Sequence, residues 1–359
     1  MTLLKGNKGE WSELYAFIRL LSTGTLYAAD ENVCRRNDFY FSILNIFRNE
    51  FPEIYSKYKI DSHLSTIEIY VNDKKIDSLS MSKLRCQADS LLDEIQQGSA
   101  RAFAIPEADL IMEELHCCKI KAPSQDKADI VMELHDPKVG YNHKCGFSIK
   151  SDIGHPPTLL NASKATNFIY EVDGISDKDA EEINKISCRE KIIERIRAIT
   201  KYGKMTFVRA DSSIFEENLR FIDSMMPDII GELVLYSYQQ NEKNLLKISN
   251  YLEKANPLHG RFPQGFYLYK IKELLCAVAL GMVPNHTWNG KDEANGGYII
   301  VKVDGEVLAY HIYNRDAFKE YLLKNTVLER ASTNRHNFAE IYTVNGKKYI
   351  NLNLQIRFQ

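Results

Sequence analysis

Apolar residues recur at helical spacing over 9–21, where Trp11, Leu14, Phe17, Ile18 and Leu21 form one stripe and Gly24 follows the end. The same spacing predicts a helix over 38–51, from Phe41, Leu44, Ile46 and Phe47. Residues 64–72 alternate instead, with Ile67, Ile69 and Val71 on one side, and predict a strand. Helices are expected over 78–97 and 106–116. A strand then opens at about Ala128 and closes at the Asp136-Pro137 turn. Lys138 to Lys144 form a polar loop, and 145–150 return as a second strand.

A loop with two prolines leads to a helix over 178–203, with Ile192, Ile196 and Ile199 as its stripe and Gly203 as its cap. Its exposed face carries Arg189, Lys191, Arg195, Arg197 and Lys201, the pattern of a solvated helix surface. Further helices are expected over 213–225, 228–240, 266–281 and near 316–324. Asp304-Gly305 and Asn345-Gly346 sit between alternating runs and predict two hairpins. A soft boundary near 203–212 separates a region 1–205 from a region 206–359.

At 359 residues with 44% hydrophobic content, the chain can bury a substantial core. Seven cysteines without a CxxC pair fit free thiols in a reducing compartment better than a disulfide framework. The adjacent Cys117-Cys118, with His116, His135, His143 and Cys145, match no common zinc spacing. No apolar run is long enough to span a bilayer, which points to a soluble cytoplasmic protein with no membrane partner. The net charge of −2 excludes a globally basic nucleic-acid binder but leaves room for a local one.

Candidate chemistry gathers around GFSIKS, residues 146–151. Side chains alternate along a strand, so Ser148 and Lys150 share a face. If the strand from Ala128 pairs with it, Asp129 approaches Lys150. A carboxylate there can hold a hard divalent cation through oxygen, and the amine can orient or help deprotonate an attacking water. That combination suits hydrolysis of a phosphodiester. The alternative is a hairpin with Lys150 snorkelling at its rim.

The arrangement resembles the PD-(D/E)xK nuclease signature, with Ser148 in the slot usually filled by an acid. A second acid must then come from elsewhere. Gly9-Glu10-Trp11-Ser12-Glu13 resembles the Gly-x-x-x-Glu of the first helix in many such nucleases, which makes Glu13 the first candidate, then Glu10, then Glu171. KGNKGEWSELYAFIRLL, KADIVMELHD, GFSIKSDIG, PPTLLNASKATNFIYEV and NLNLQIRF together resemble the HpaII-type restriction endonucleases over most of the chain.

The resemblance implies a prokaryotic type II endonuclease that cuts duplex DNA at CCGG with Mg²⁺, beside a cognate cytosine methyltransferase. It implies an α/β fold: a PD-(D/E)xK-like mixed sheet flanked by helices, with a second mixed α/β C-terminal region for recognition. It makes Asp129 and Glu13 the metal carboxylates, Lys150 the catalytic lysine, and Ser148 a member of the site. Two-fold symmetry of the target favours a homodimer. The open alternative is a non-catalytic DNA-binding protein on a degenerate nuclease fold.

Reading C·G pairs in the major groove calls for Arg or Lys on guanine and Asp or Glu on cytosine. From Lys324 to Gln359 there are six Lys/Arg and two Asp/Glu, a local charge of +4. Arg335, His336 and Arg357 are the expected DNA contacts there. Ser163, Lys164 and Asn167, just past the catalytic strand, are expected at phosphates.

Overall fold

The computed structural model describes residues 3–30, 32–51, 54–121, 128–137, 140–311 and 315–359. It divides into two compact units, Met1–Pro157 with Asp292–Phe318, and Thr158–Lys291 with Lys319–Gln359.

The first unit opens with helix α1 (Lys8–Thr23). Asn7 Oδ1 accepts the Glu10 amide at 3.0 Å while Glu10 Oε2 accepts the Asn7 amide at 2.9 Å, so two amides left over at the helix start are satisfied reciprocally. Gly24 closes the helix at φ 64°, a left-handed conformation that costs glycine little. Trp11, Leu14, Phe17, Ile18 and Leu21 are all buried, and each contributes about 1.5–3 kcal/mol by leaving water. Helices α2 (Met81–Gln97) and α3 (Pro106–Glu114) add Leu84, Leu91 and Ile111 to the same core.

The strands of this unit are β1 (Thr25–Ala29), β2 (Arg35–Phe51), β3 (Ile54–Asp61), β4 (Thr66–Val71), β5 (Lys74–Ser80), β6 (Ile130–Asp136) and β7 (Tyr141–Ser151). The later hairpin β11 (Gly297–Val301) and β12 (Val307–His311) joins them; β8 to β10 lie in the second unit. They form a nine-stranded mixed sheet, ordered β1-β12-β11-β7-β6-β2-β3-β4-β5. An additional β1–β2 pairing closes the first six strands of that order into a barrel. β7 lies between antiparallel β6 and parallel β11, and Cys145 through Ile149 are continuously buried, as expected of a strand covered on both faces.

The helix expected over 38–51 is instead part of the long strand β2. Phe41 and Ile43 alternate onto the buried face, and a register shift between Ile43 and Asn45 then returns Ile46 to that face. One extra residue converts a period of two into spacings of two and three, which imitate a helix in the sequence. The polar loop expected from Lys138 to Lys144 is also shorter, because β7 already begins at Tyr141; residues 138 and 139 lie outside the described residues.

The second unit holds β8 (Thr158–Leu160), β9 (Asn167–Asp173), β10 (Lys204–Ala210), β13 (Thr326–Leu328), β14 (Ile341–Val344), β15 (Lys347–Asn353) and β16 (Ile356–Phe358). They make a four-stranded sheet, β10-β9-β15-β14, and a three-stranded one, β13-β16-β8. Asn345 and Gly346 turn the β14–β15 hairpin at φ 51° and 77°, as the Asn-Gly pair predicts. Around these pack α6 (Ser213–Ile222), α7 (Met226–Gln240), α8 (Leu245–Ala255) and α9 (Phe266–Leu280).

The helix expected over 178–203 is two, α4 (Asp177–Asn184) and α5 (Lys191–Tyr202). Arg195 spans the break. It is buried, not on a solvated face, and its guanidinium donates to the carbonyls of Asn184, Ile186 and Ala339. The loose carbonyls at the end of α4 are thus capped from α5.

Candidate active site

The pairing of β6 with β7 sets the site. Ile130 lies opposite Phe147, and just before it the Asp129 amide donates to the Phe147 carbonyl at 2.8 Å. Asp129 Oδ2 then accepts two bonds, from Ser148 Oγ at 3.0 Å and from the Ile149 amide at 2.6 Å. The carboxylate is clamped through one oxygen. Ser148, 4% exposed, is a donor that orients Asp129 and occupies the usual acidic slot in that capacity. Gly146 is needed upstream: a Cβ there would meet Ala128 Cβ at 2.7 Å and the Glu293 carbonyl at 2.9 Å.

Lys150 leaves β7 on the same face as Ser148. On the parallel neighbour β11, Tyr298 lies in register with Ser148, and Lys150 Nζ sits 5.5 Å from the centre of the Tyr298 ring. The ammonium thus lies within cation–π range of the ring.

Glu13 reaches the same place from α1. Ser151, directly after Lys150, donates its hydroxyl to Ser12 Oγ at 2.8 Å, and Ser12 donates to the Lys8 carbonyl at 2.7 Å. This buried pair pins the first turns of α1 to the end of β7. Among the described residues Glu13 Oε2 is buried with no hydrogen-bond partner. Burial, then the charge of Asp129, pushes the Glu13 carboxyl up to about 8, against the opposing pull of Lys150 and Lys121.

An orphaned carboxylate oxygen beside a second carboxylate fits a hard cation bound through oxygen. No cluster of three or more His, Cys, Asp or Glu converges among the described residues. Asp129 and Glu13 alone therefore suit a cation that keeps waters and takes the rest of its shell from substrate phosphates, the habit of Mg²⁺.

The other two acids are engaged elsewhere. Glu10 Oε1 pairs with Lys121 Nζ at 2.6 Å while its second oxygen caps α1. Glu171, on β9 of the second unit, pairs with Lys347 at 2.8 Å. Lys121, Tyr298 and the Ser12–Ser151 pair were not anticipated from the sequence. Only the serines carried a signal, as neighbours of Glu13 and Lys150.

In the second unit, Arg335, His336 and Arg357 line one open polar groove of about 380 Å³, together with Asn161, Glu329 and Gln355. Arg335 lies on the short helix α11 (Thr333–His336), and burial, then Arg335, holds the His336 imidazole below its ordinary value. Ser163 and Lys164 sit at a 3-10 turn, Lys164–Thr166, with Lys164 exposed. Asn167 differs. It is 1% exposed; its amide donates to the His336 carbonyl at 3.0 Å and accepts from Asn353 at 2.8 Å. It ties the loop carrying His336 to β9 from inside, and burial keeps it from a phosphate.

A clamped carboxylate, an orphaned one and a lysine have the chemistry that metal-assisted hydrolysis would need. Comparison with known proteins gives the class. The HpaII restriction endonuclease family matches residues 7–358. The type II restriction enzyme HpaII of Haemophilus parainfluenzae is 40% identical over 357 residues, 98% of each chain. No solved structure matches the chain. The protein is a type II restriction endonuclease, a site-specific deoxyribonuclease whose partner is DNA. It belongs to the HpaII restriction endonuclease family. No helix among the described residues is long and apolar enough to cross a membrane.

Proposed function

We propose that the protein hydrolyses both strands of duplex DNA at CCGG with Mg²⁺, through a PD-(D/E)xK-like site on β6, β7 and α1. The observation that carries this reading is the buried, unpartnered Oε2 of Glu13 in the same electrostatic neighbourhood as Asp129 and Lys150. Asp129 and Glu13 would hold the Mg²⁺, whose chemistry would be to offset charge on the phosphate and lower the pKa of the attacking water.

The chain's own residues do the rest. Ser148 and the Ile149 amide fix Asp129 Oδ2 and so orient the carboxylate that would hold the cation. Lys150, backed by Tyr298, holds the attacking water through its Nζ hydrogens and aligns it with the phosphorus. Region 1–205 carries these groups, and region 206–359 carries Arg335, His336 and Arg357 for the bases and phosphates. Ser163 and Lys164 contact phosphates of the DNA backbone. A homodimer matches the two-fold axis of the palindrome, and a cognate cytosine methyltransferase protects the host sites.

The test is digestion of unmethylated plasmid with Mg²⁺ and with EDTA, followed by sequencing of fragment ends. Discrete ends at CCGG, seen only with the metal, support the reading. Ends at another sequence remove the target, and equal cleavage in EDTA removes the metal.

A further inference from the structure

We propose that Glu329 and Arg357 act together as the reader of one C·G base pair, Glu329 selecting the cytosine and Arg357 the guanine. The inference rests on the reading above that the second unit recognises a sequence containing C·G pairs.

Val327 of β13 lies in register with Arg357 of β16, so Glu329, two residues beyond Val327, falls at the end of the same strand pair. The Glu329 amide donates to the Gln355 carbonyl at 2.9 Å, which fixes its backbone there. Arg357 Nε lies 2.6 Å from Glu329 Oε2 as an ion pair, with the two side chains 33% and 38% exposed; the geometry makes no hydrogen bond, so Nε is left unsatisfied among the described residues. Both line the polar groove that also holds Arg335 and His336.

The chemistry of the pair complements a base pair. In the major groove guanine offers two acceptors, O6 and N7, to a guanidinium, and cytosine offers its N4 donor to a carboxylate. Guanine and cytosine of one pair lie side by side, as do the two side chains. Arg357 can stay beside the Glu329 carboxylate through Nε and still present its terminal nitrogens, so the pair need not separate fully. A half-exposed ion pair contributes little, so adjusting it to the bases costs little. A purely structural pair at a sheet edge accounts for the 2.6 Å contact but not for its place among Arg335 and His336 in an open groove.

Arg330 next in sequence plays another part. It is turned inward, donating to Ser237 Oγ and the Ser237 carbonyl, with its guanidinium 4.0 Å from the centre of the Tyr238 ring. That anchor holds the segment leading to Arg335 against α7 and leaves the reading to its neighbours.

The experiment is selection of bound duplexes from a pool randomised over the target, in EDTA so that none is cut, followed by sequencing. Wild type, Glu329→Gln and Arg357→Lys are compared, with affinity for an unrelated duplex and circular dichroism as fold controls. Glu329→Gln should relax one cytosine column by roughly tenfold or more, and Arg357→Lys the guanine column of the same base pair. Affinity for the unrelated duplex should change little in Glu329→Gln. Unchanged columns in both variants, or a uniform loss across all sequences with the fold intact, would overturn the proposal. A wild-type preference for a different sequence that still has a C·G column relaxed by both variants would sink CCGG alone. A preference without any C·G pair would sink both.

Discussion

The two units solve opposite electrostatic problems. In the first, an acid is buried without a partner: Glu13 Oε2 meets no hydrogen bond among the described residues, and its carboxyl is pushed up to about 8 by burial and Asp129. In the second, Glu329 and Arg357, both partly in water, form an ion pair at 2.6 Å in an open groove. The first arrangement is costly unless a cation arrives, so it suits chemistry. The second is cheap to rearrange, so it suits recognition, where partners change between water and bases. Loss of a group should therefore act differently in the two places.

The largest effect on metal binding belongs to Glu13→Gln. Mg²⁺ affinity should fall by about 100-fold or more, since even residues that only support metal ligands commonly cost 10–100-fold. Isothermal titration with Mg²⁺ or Mn²⁺ measures it. The same variant tests the electrostatics. Metal binding to the wild type must expel the Glu13 proton, so affinity should rise with pH until about 8 and level off above it. Without metal the sign reverses for stability. The folded state keeps a proton that the unfolded chain releases near 4.5, so this group's contribution declines as pH rises from there through about 8. Denaturant unfolding across that window should show the decline in the wild type and lose that component in Glu13→Gln. A flat metal affinity across pH would remove Glu13 from the ligand set.

Ser148→Ala comes next. It removes one of two donors to Asp129 Oδ2 and leaves the Ile149 amide in place. Cleavage should slow by about tenfold, with little change in DNA affinity. A rate equal to wild type would mean that the amide alone orients the carboxylate. The smallest effect is expected from Arg335→Ala, an exposed groove residue. If it contacts a phosphate, binding weakens several-fold for every sequence and the salt slope falls by about one; if it contacts guanine, one column of the target relaxes instead.

The two regions were also unequally legible in the sequence. The Asp129, Ser148 and Lys150 arrangement could be read because strand alternation and a hairpin spacing are local rules. Glu13 needed the resemblance to a known first-helix motif, since nothing local says that α1 packs against β7. The Ser12–Ser151 bond that brings them together spans 139 residues of chain. β2 was misread because its register shift mimics helical spacing, and the barrel closure that depends on it was invisible for the same reason. Arg195 was assigned to a solvated face because a charged residue in a basic run ordinarily belongs there; its burial follows from carbonyls on a separate helix. Asn167 was assigned to DNA from its place in the chain, whereas Asn353 and the His336 backbone, far along the sequence, use its amide. Glu329 drew no attention because its pairing with Arg357 appears only when β13 and β16 are laid side by side.

The central claim is that cutting belongs to the Asp129, Glu13 and Lys150 constellation and reading belongs elsewhere. The most direct measurement is cleavage and sequence-specific DNA binding on one preparation of Lys150→Ala. The account predicts cleavage reduced by about 1,000-fold or more, with specific binding within a few-fold of wild type. Turnover near the wild-type rate, or specific binding lost together with cleavage in a folded protein, would contradict it.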